Sequence, residues 1–165
     1  QISERTRDKM RAARRRGKFT GGWLLLGYDR DPEGRRLLVN EAEAGRVREI
    51  FDLYLREGSL VAAAQELNRR GWTTKSWVTR KGREIPPRAF GPSNLRALLT
   101  NRAYAGKVRI GGQEYDAECP GIVDPGVFGE VQALLARHAR TGNREARTKH
   151  DALLRGPADT SRREP

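Results

Sequence analysis

The chain has one cysteine, Cys119, one methionine and two histidines in 165 residues. A lone cysteine excludes an intrachain disulfide and a cysteine-rich zinc cluster, and it fits a reducing compartment. His138 and His150 have no neighbouring cysteine or carboxylate cluster that would make a zinc site. No apolar run approaches the roughly 18 residues that cross a bilayer, and no signal peptide is visible. The expectation is a soluble, cytoplasmic protein without a membrane partner. A Gly-rich nucleotide fingerprint, an HExxH pair and a nucleophile elbow are also missing from the sequence. No serine has a discernible base partner, and Glu118 beside Cys119 opposes thiolate formation. These absences predict a chain that is not an enzyme by itself and uses neither cofactor nor metal.

Charge of one sign is abundant. The formal net charge is +12, with an isoelectric point near 10.8, which favours polyanionic partners, nucleic acid before membrane surface. The charge is also segregated. Residues 1–20 carry 8 basic and 2 acidic side chains, and residues 67–109 carry 11 and 1. Residues 29–66 carry 6 basic and 9 acidic groups, and residues 110–136 are net acidic. A uniform solubilising surface would not separate in this way. Two basic blocks can form one polyanion-facing surface with the acidic segments turned outward.

Hydrophobic content is lean at 36%, but amphipathic segments argue against disorder. A helix is expected over 3–16, ending at Gly17, with too few apolar residues for a core-facing stripe. Apolar runs at 23–28 and 37–39, separated by Asp31-Pro32-Glu33-Gly34, predict a small hairpin covering the core with Leu24, Leu26, Leu38 and Val39. Residues 40–56 form the strongest helix pattern. Asn40 is its N-cap, Glu43 sits at the capping-box position, and Val47, Ile50, Phe51, Tyr54 and Leu55 make one apolar face. Gly58 ends it, and Ser59 caps a second helix with Leu60, Ala63, Ala64 and Leu67 inward.

Residues 73–90 are polar, basic and broken by Gly82, Pro86 and Pro87, so they predict a long loop, functional or mobile. Lys75, Arg80, Lys81, Arg83 and Arg88 could track phosphates there, and a solvated loop is an equal reading. Gly91-Pro92-Ser93 opens a short helix with Leu95, Leu98 and Leu99 inward. Its outer residues Ser93, Asn94 and Arg96 suit base edges, since Asn matches adenine and Arg matches guanine; a plain solvent face is the bland alternative. Residues 102–115 predict a second hairpin turning at Gly111-Gly112, either a wing or a core cover. Ile122-Val123 suggests a short strand. Asp124-Pro125 begins a final helix whose apolar face is Val127, Phe128, Val131, Leu134 and Leu135, and periodicity ends at Ala139, predicting a mobile tail.

The stretch RAARRRGKFTGGWLLLGY from Arg11 to Tyr28 joins a basic helix to this domain. Arg14, Arg15, Arg16 and Lys18 beside Gly17, Gly21 and Gly22 suit close approach to phosphates, although cations and glycine also commonly end a helix. With its sequels GYDRDPEGRRLLVNEAEAGRVREIFDLYLREGSLVAAAQELNRRGWTTK and FGPSNLRALLTNRAYAGKVRIGGQEYDAECPGIVDPGVFGEVQALLARHAR, it resembles the DNA-binding recombinase domain of large serine recombinases, the phage integrases and transposon resolvases. The resemblance runs from about Ser3 to Arg140. It implies binding of duplex DNA at attachment or resolution sites, inside a larger enzyme of mobile genetic elements. That enzyme's nucleophilic serine lies in a separate N-terminal domain, through which the full protein forms dimers or tetramers in the nucleoid or the phage-infected cell. Leu24, Leu25 and Leu26 depart from the proline-containing run common in relatives, and the family's Cys-rich zinc ribbon does not follow Leu154. Truncation before that ribbon is therefore expected.

The resulting expectation is an α+β, helix-rich domain, with a helix-turn-helix-like core, small hairpins and a basic N-terminal linker. Residues 1–22 form the linker, 23–140 the DNA-binding domain and 141–165 the tail. Arg14, Arg15, Arg16, Lys18 and Thr20 are the expected linker contacts, and Ser93, Asn94 and Arg96 the base-facing ones. Lys75, Arg88, Arg102 and Lys107 rank second, as phosphate contacts. The alternatives are a DNA- or RNA-binding regulatory module and a protein-assembly module with incidental basic charge.

Overall fold

The computed structural model of the chain describes residues 12, 24–32, 36–79, 81–110 and 112–154. The linker residues Arg14, Arg15, Arg16, Lys18 and Thr20, and all of the expected 3–16 helix except Ala12, lie outside that set. The chain divides after Gln132 into two compact units. Among the described residues, four α-helices and three separate two-stranded antiparallel sheets make an α+β fold rich in helix.

The first hairpin pairs β1 (Tyr28–Arg30) with β2 (Leu37–Val39), Tyr28 opposite Val39. Strand residues alternate between faces, so Tyr28 and Leu37 are buried while Leu38 is 49% exposed. Leu38 therefore leaves the expected core cover, and Leu26 remains in it. The strand also starts at Tyr28, since Leu26 and Gly27 form a turn.

Helix α1 (Glu41–Glu57) begins where the Asn40 side chain accepts the Glu43 N–H at 3.2 Å. Only this half of the capping box forms. The Glu43 carboxylate turns away to accept the Gly27 N–H at 2.9 Å. The buried face is wider than the sequence pattern, taking in Ala44 and Leu53 beside Val47, Ile50, Phe51 and Tyr54, while Leu55 is half-buried. Gly58 stops the helix at φ 64°, a left-handed conformation that suits glycine. Ser59 then caps α2 (Leu60–Arg69), whose Ala63, Ala64 and Leu67 are buried. Helix α2 packs against α1.

Residues 73–90 are an arm with its own ladder. Thr73 bridges Ala89, and β3 (Trp77–Val78) pairs with β4 (Glu84–Ile85). Sequence periodicity missed this because the strands are two residues long, below any period-2 signal. Helix α3 (Pro92–Leu99) follows, with proline in its first turn and Leu95 and Leu99 buried.

The second hairpin is shorter than expected, because Arg102–Ala105 is a 3₁₀ turn and the pairing begins at β5 (Lys107–Ile110) with β6 (Gln113–Asp116). Ile122 and Val123 are buried but form no strand; both backbone N–H groups donate to the Tyr104 carbonyl, at 2.8 and 2.9 Å. Helix α4 (Pro125–Leu154) opens as expected after Asp124 and continues well past Ala139. Arg140, Arg144, Glu145, Ala146, Arg147, Lys149 and Ala152 in that extension favour helix without needing an apolar face. In the first unit the core centres on Phe51, with Tyr104 edge-on at 5.9 Å and Phe128 at 6.0 Å between ring centroids.

Candidate nucleic-acid interface

The arm and α3 flank a groove of about 430 Å³. Lys75, Arg88 and Asn94 line it, together with Trp77 and Ile85 of the arm and Ala97 and Leu98 of α3. Three side chains hold the arm at its root. On the returning side, Asn68 of α2 accepts the Phe90 N–H and donates to the Phe90 carbonyl, both at 2.8 Å. Asn94 donates to the Ala89 carbonyl at 3.0 Å. On the outgoing side, the Lys75 ammonium sits 2.7 Å from Asp29 and 2.5 Å from Glu43. Its side chain is only 8% exposed.

This geometry sorts the residues named from sequence. The Asn94 amide is occupied at both ends, because its oxygen also accepts the Gly91 N–H at 2.7 Å. It caps α3, so the group that sequence reading offered to adenine is held by backbone. Lys75 is likewise matched by two carboxylates rather than presented to solvent. Its hydrogen bond, with a further one from Asn40, holds the Asp29 carboxyl below the usual carboxylate range against a smaller opposing effect of burial. Arg102 pairs with Glu114, and Lys107 lies 2.5 Å from Asp116. Neither Arg102 nor Lys107 lines the groove.

Ser93 and Arg96 are exposed on α3, and Arg88 is exposed on the returning side of the arm. Lys81 and Arg83, at the turn of the arm, are exposed too. Arg83, Arg88, Arg96 and Lys81 make no ion pair among the described residues. By contrast, the cations ending α2 are neutralised: Glu66 takes Arg69 and Arg70, and Arg70 also reaches Glu49 at 2.7 Å. The hydrogen bonds from Arg69 and Arg70 hold the Glu66 carboxyl down to about 2. Trp72 adds a ring flanked by Arg46 and Arg70, at 5.9 and 5.8 Å from its centroid.

Sequence reading missed Asn68, Asp29 and Glu43 as fasteners of the arm. Only Glu43 carried a local signal, and that signal pointed to a capping box. Among the described residues no cluster of His, Cys, Asp or Glu is arranged to hold a metal ion, and no helix is long and apolar enough to cross a membrane.

The same architecture occurs in a crystal structure of a large serine recombinase–DNA complex, with a TM-score of 0.65 and 21% identity. That likeness covers 82% of this chain and 40% of the other. A structure concerning sequence requirements of the Listeria innocua prophage attP site is similar at a TM-score of 0.56 and 22% identity, covering 72% of this chain and 45% of that one. At these identities the likeness is one of fold, and this chain spans less than half the length of either. No curated protein matches the chain. The Recombinase family model matches residues 41–138, which run from the start of α1 into α4. The chain belongs to this family.

Proposed function

We propose that the chain binds double-stranded DNA at recombination sites on behalf of a serine recombinase. The observation that carries this reading is the placement of four cations that make no ion pair among the described residues. Lys81, Arg83 and Arg88 lie on the arm and Arg96 on α3, the two elements that flank one groove. Cations left without protein carboxylates are the ones free to replace counterions on phosphate. The exposed face of α3, with Ser93 and Arg96, is the candidate for base edges, and the arm positions the chain on the backbone. Arg14, Arg15, Arg16, Lys18 and Thr20 extend the phosphate contacts from a linker over 1–22. Arg102 and Lys107 add to them only where DNA displaces their carboxylates. In this division 23–140 is the DNA-binding domain, and 141–165 lies beyond it.

Strand cleavage and subunit assembly belong to another domain of the recombinase, and the work is cytoplasmic. The chain therefore binds DNA without cutting it. The test is a fluorescence-anisotropy titration with duplex DNA between about 50 and about 200 mM salt, where each neutralised phosphate contributes a log–log slope near −0.9. A steep negative slope is the expected result; affinity independent of salt, or preference for structured RNA in competition, overturns the reading.

A further inference from the structure

The arm cannot hold its own direction. Each of its strands is two residues long, and an isolated two-stranded hairpin is marginal in water. Its orientation must come from the root. Asn68 clamps the returning side of the arm to α2 through Phe90, itself buried. The outgoing side has Lys75, whose ammonium meets carboxylates from two other elements, Asp29 of β1 and Glu43 of α1. Those carboxylates are themselves fixed. Asn40 donates to Asp29 at 2.7 Å, and Glu43 accepts from the Gly27 backbone. One buried cation thus joins the arm, the first hairpin and the start of the longest helix of the first unit.

We propose that Lys75 is a positioning residue for DNA engagement, fastening the arm so that Lys81, Arg83 and Arg88 meet the duplex in one orientation alongside Arg96. The role rests on the DNA-binding reading above. An ammonium withdrawn from water is stable only while paired, and removing its partners leaves an uncompensated buried charge. The root of the arm must then open to hydrate it. Only the fraction of molecules whose arm is correctly placed binds well, so an arm in place one tenth of the time weakens apparent affinity about tenfold.

The double variant Asp29→Asn/Glu43→Gln gives a decisive sign. Both changes preserve shape, and asparagine and glutamine oxygens can still accept the bonds from Asn40 and Gly27. Both also remove negative charge, which should by itself strengthen binding to DNA. Fastening predicts the opposite, a Kd about tenfold higher. In the protein without DNA, amide exchange at Thr74 and Thr79, whose N–H groups bond across the arm to Arg88 and Arg83, should accelerate. Amides of Ile50 and Phe51 inside α1 should remain slow. Lys75→Met should likewise weaken binding and speed the same arm amides.

If Lys75 instead touches phosphate, Lys75→Met lowers the salt slope by about 0.9 and the double variant binds as well as wild type or better; that pattern overturns the proposal. Unchanged exchange at Thr74 and Thr79 in both variants overturns it too. A wild-type chain that binds no duplex refutes the DNA reading and this role with it. Wild-type binding with an undiminished double variant refutes the role of Lys75 alone.

Discussion

Tyr28 and Tyr104 hold each other's chain segments. The Tyr28 hydroxyl donates to the Ala103 and Pro120 carbonyls at 3.0 and 2.8 Å, and the Tyr104 hydroxyl donates to the Leu26 carbonyl at 3.0 Å. Their ring centroids are 6.0 Å apart, and neither side chain is accessible beyond 1%. Burial is the main reason both phenols are pushed well above their usual range, so they stay neutral donors at any working pH. The clasp closes the first hairpin onto the 3₁₀ turn, 78 residues away by the Tyr104–Leu26 bond.

Tyr104→Phe should therefore destabilise the domain by about 1–3 kcal/mol, the penalty for stranding a buried carbonyl. Urea unfolding would measure it. An unchanged midpoint would mean that the Leu26 carbonyl finds another donor.

Gly27 should tolerate no side chain. Its φ is +89°, and a Cβ there would lie 2.6 Å from Ile122 Cδ1 and 3.0 Å from Val47 Cγ2. Gly27→Ala combines left-handed strain with core overpacking, so a loss of about 2 kcal/mol or more is expected. Gly45→Ala is the control, since nothing lies within 4 Å of its added Cβ; helix propensity predicts a gain of up to about 1 kcal/mol there. Equal melting temperatures for the two variants would contradict this packing.

Stability should fall in acid. The Asp29 and Glu66 carboxyls are both held below their unfolded values by hydrogen bonds, Asp29 chiefly from Lys75 and Glu66 chiefly from Arg69. A depressed folded pKa contributes stability that is complete above the unfolded value, near 4, and lost as pH falls through the folded one. Urea midpoints should hold steady from neutral pH to about 5 and decline toward about 2. Asp29→Asn should remove part of that decline; an acid limb identical to wild type would remove Asp29 from the cause.

Asn94 and Arg96 should separate cleanly. Arg96→Ala should leave folding intact and cost roughly 1–3 kcal/mol on one preferred DNA sequence, if its guanidinium meets guanine in two bonds. Asn94→Ala removes the bonds to Gly91 and Ala89, so it should cost about 1 kcal/mol of stability, a typical loss for a capping group. Replacing Arg14, Arg15 and Arg16 by Ala should weaken all sequences alike and flatten the salt slope. Equal losses on preferred and random DNA for Arg96→Ala would take α3 out of base recognition.

The amino-acid sequence by itself determined where the described helices begin and where α1 ends. Asn40, Gly58, Ser59 and Pro92 act on backbone groups within one turn, and the apolar spacing of Val47, Ile50, Phe51 and Tyr54 selects a face without reference to anything distant. It also determined that positive charge gathers in two blocks. Only the tertiary structure decided which of those charges are available. Lys75 meets Asp29 and Glu43 across 46 and 32 residues, and no local pattern records a pairing of that separation. Ile122 and Val123 were legible as apolar but not as strandless, because their N–H groups are satisfied by the carbonyl of Tyr104 rather than by a neighbouring strand. Helix signals are short-ranged because the backbone bonds that make a helix are short-ranged. Ion pairs and backbone bonds between distant segments depend on where the fold brings them, and that is set by the packing of the whole core.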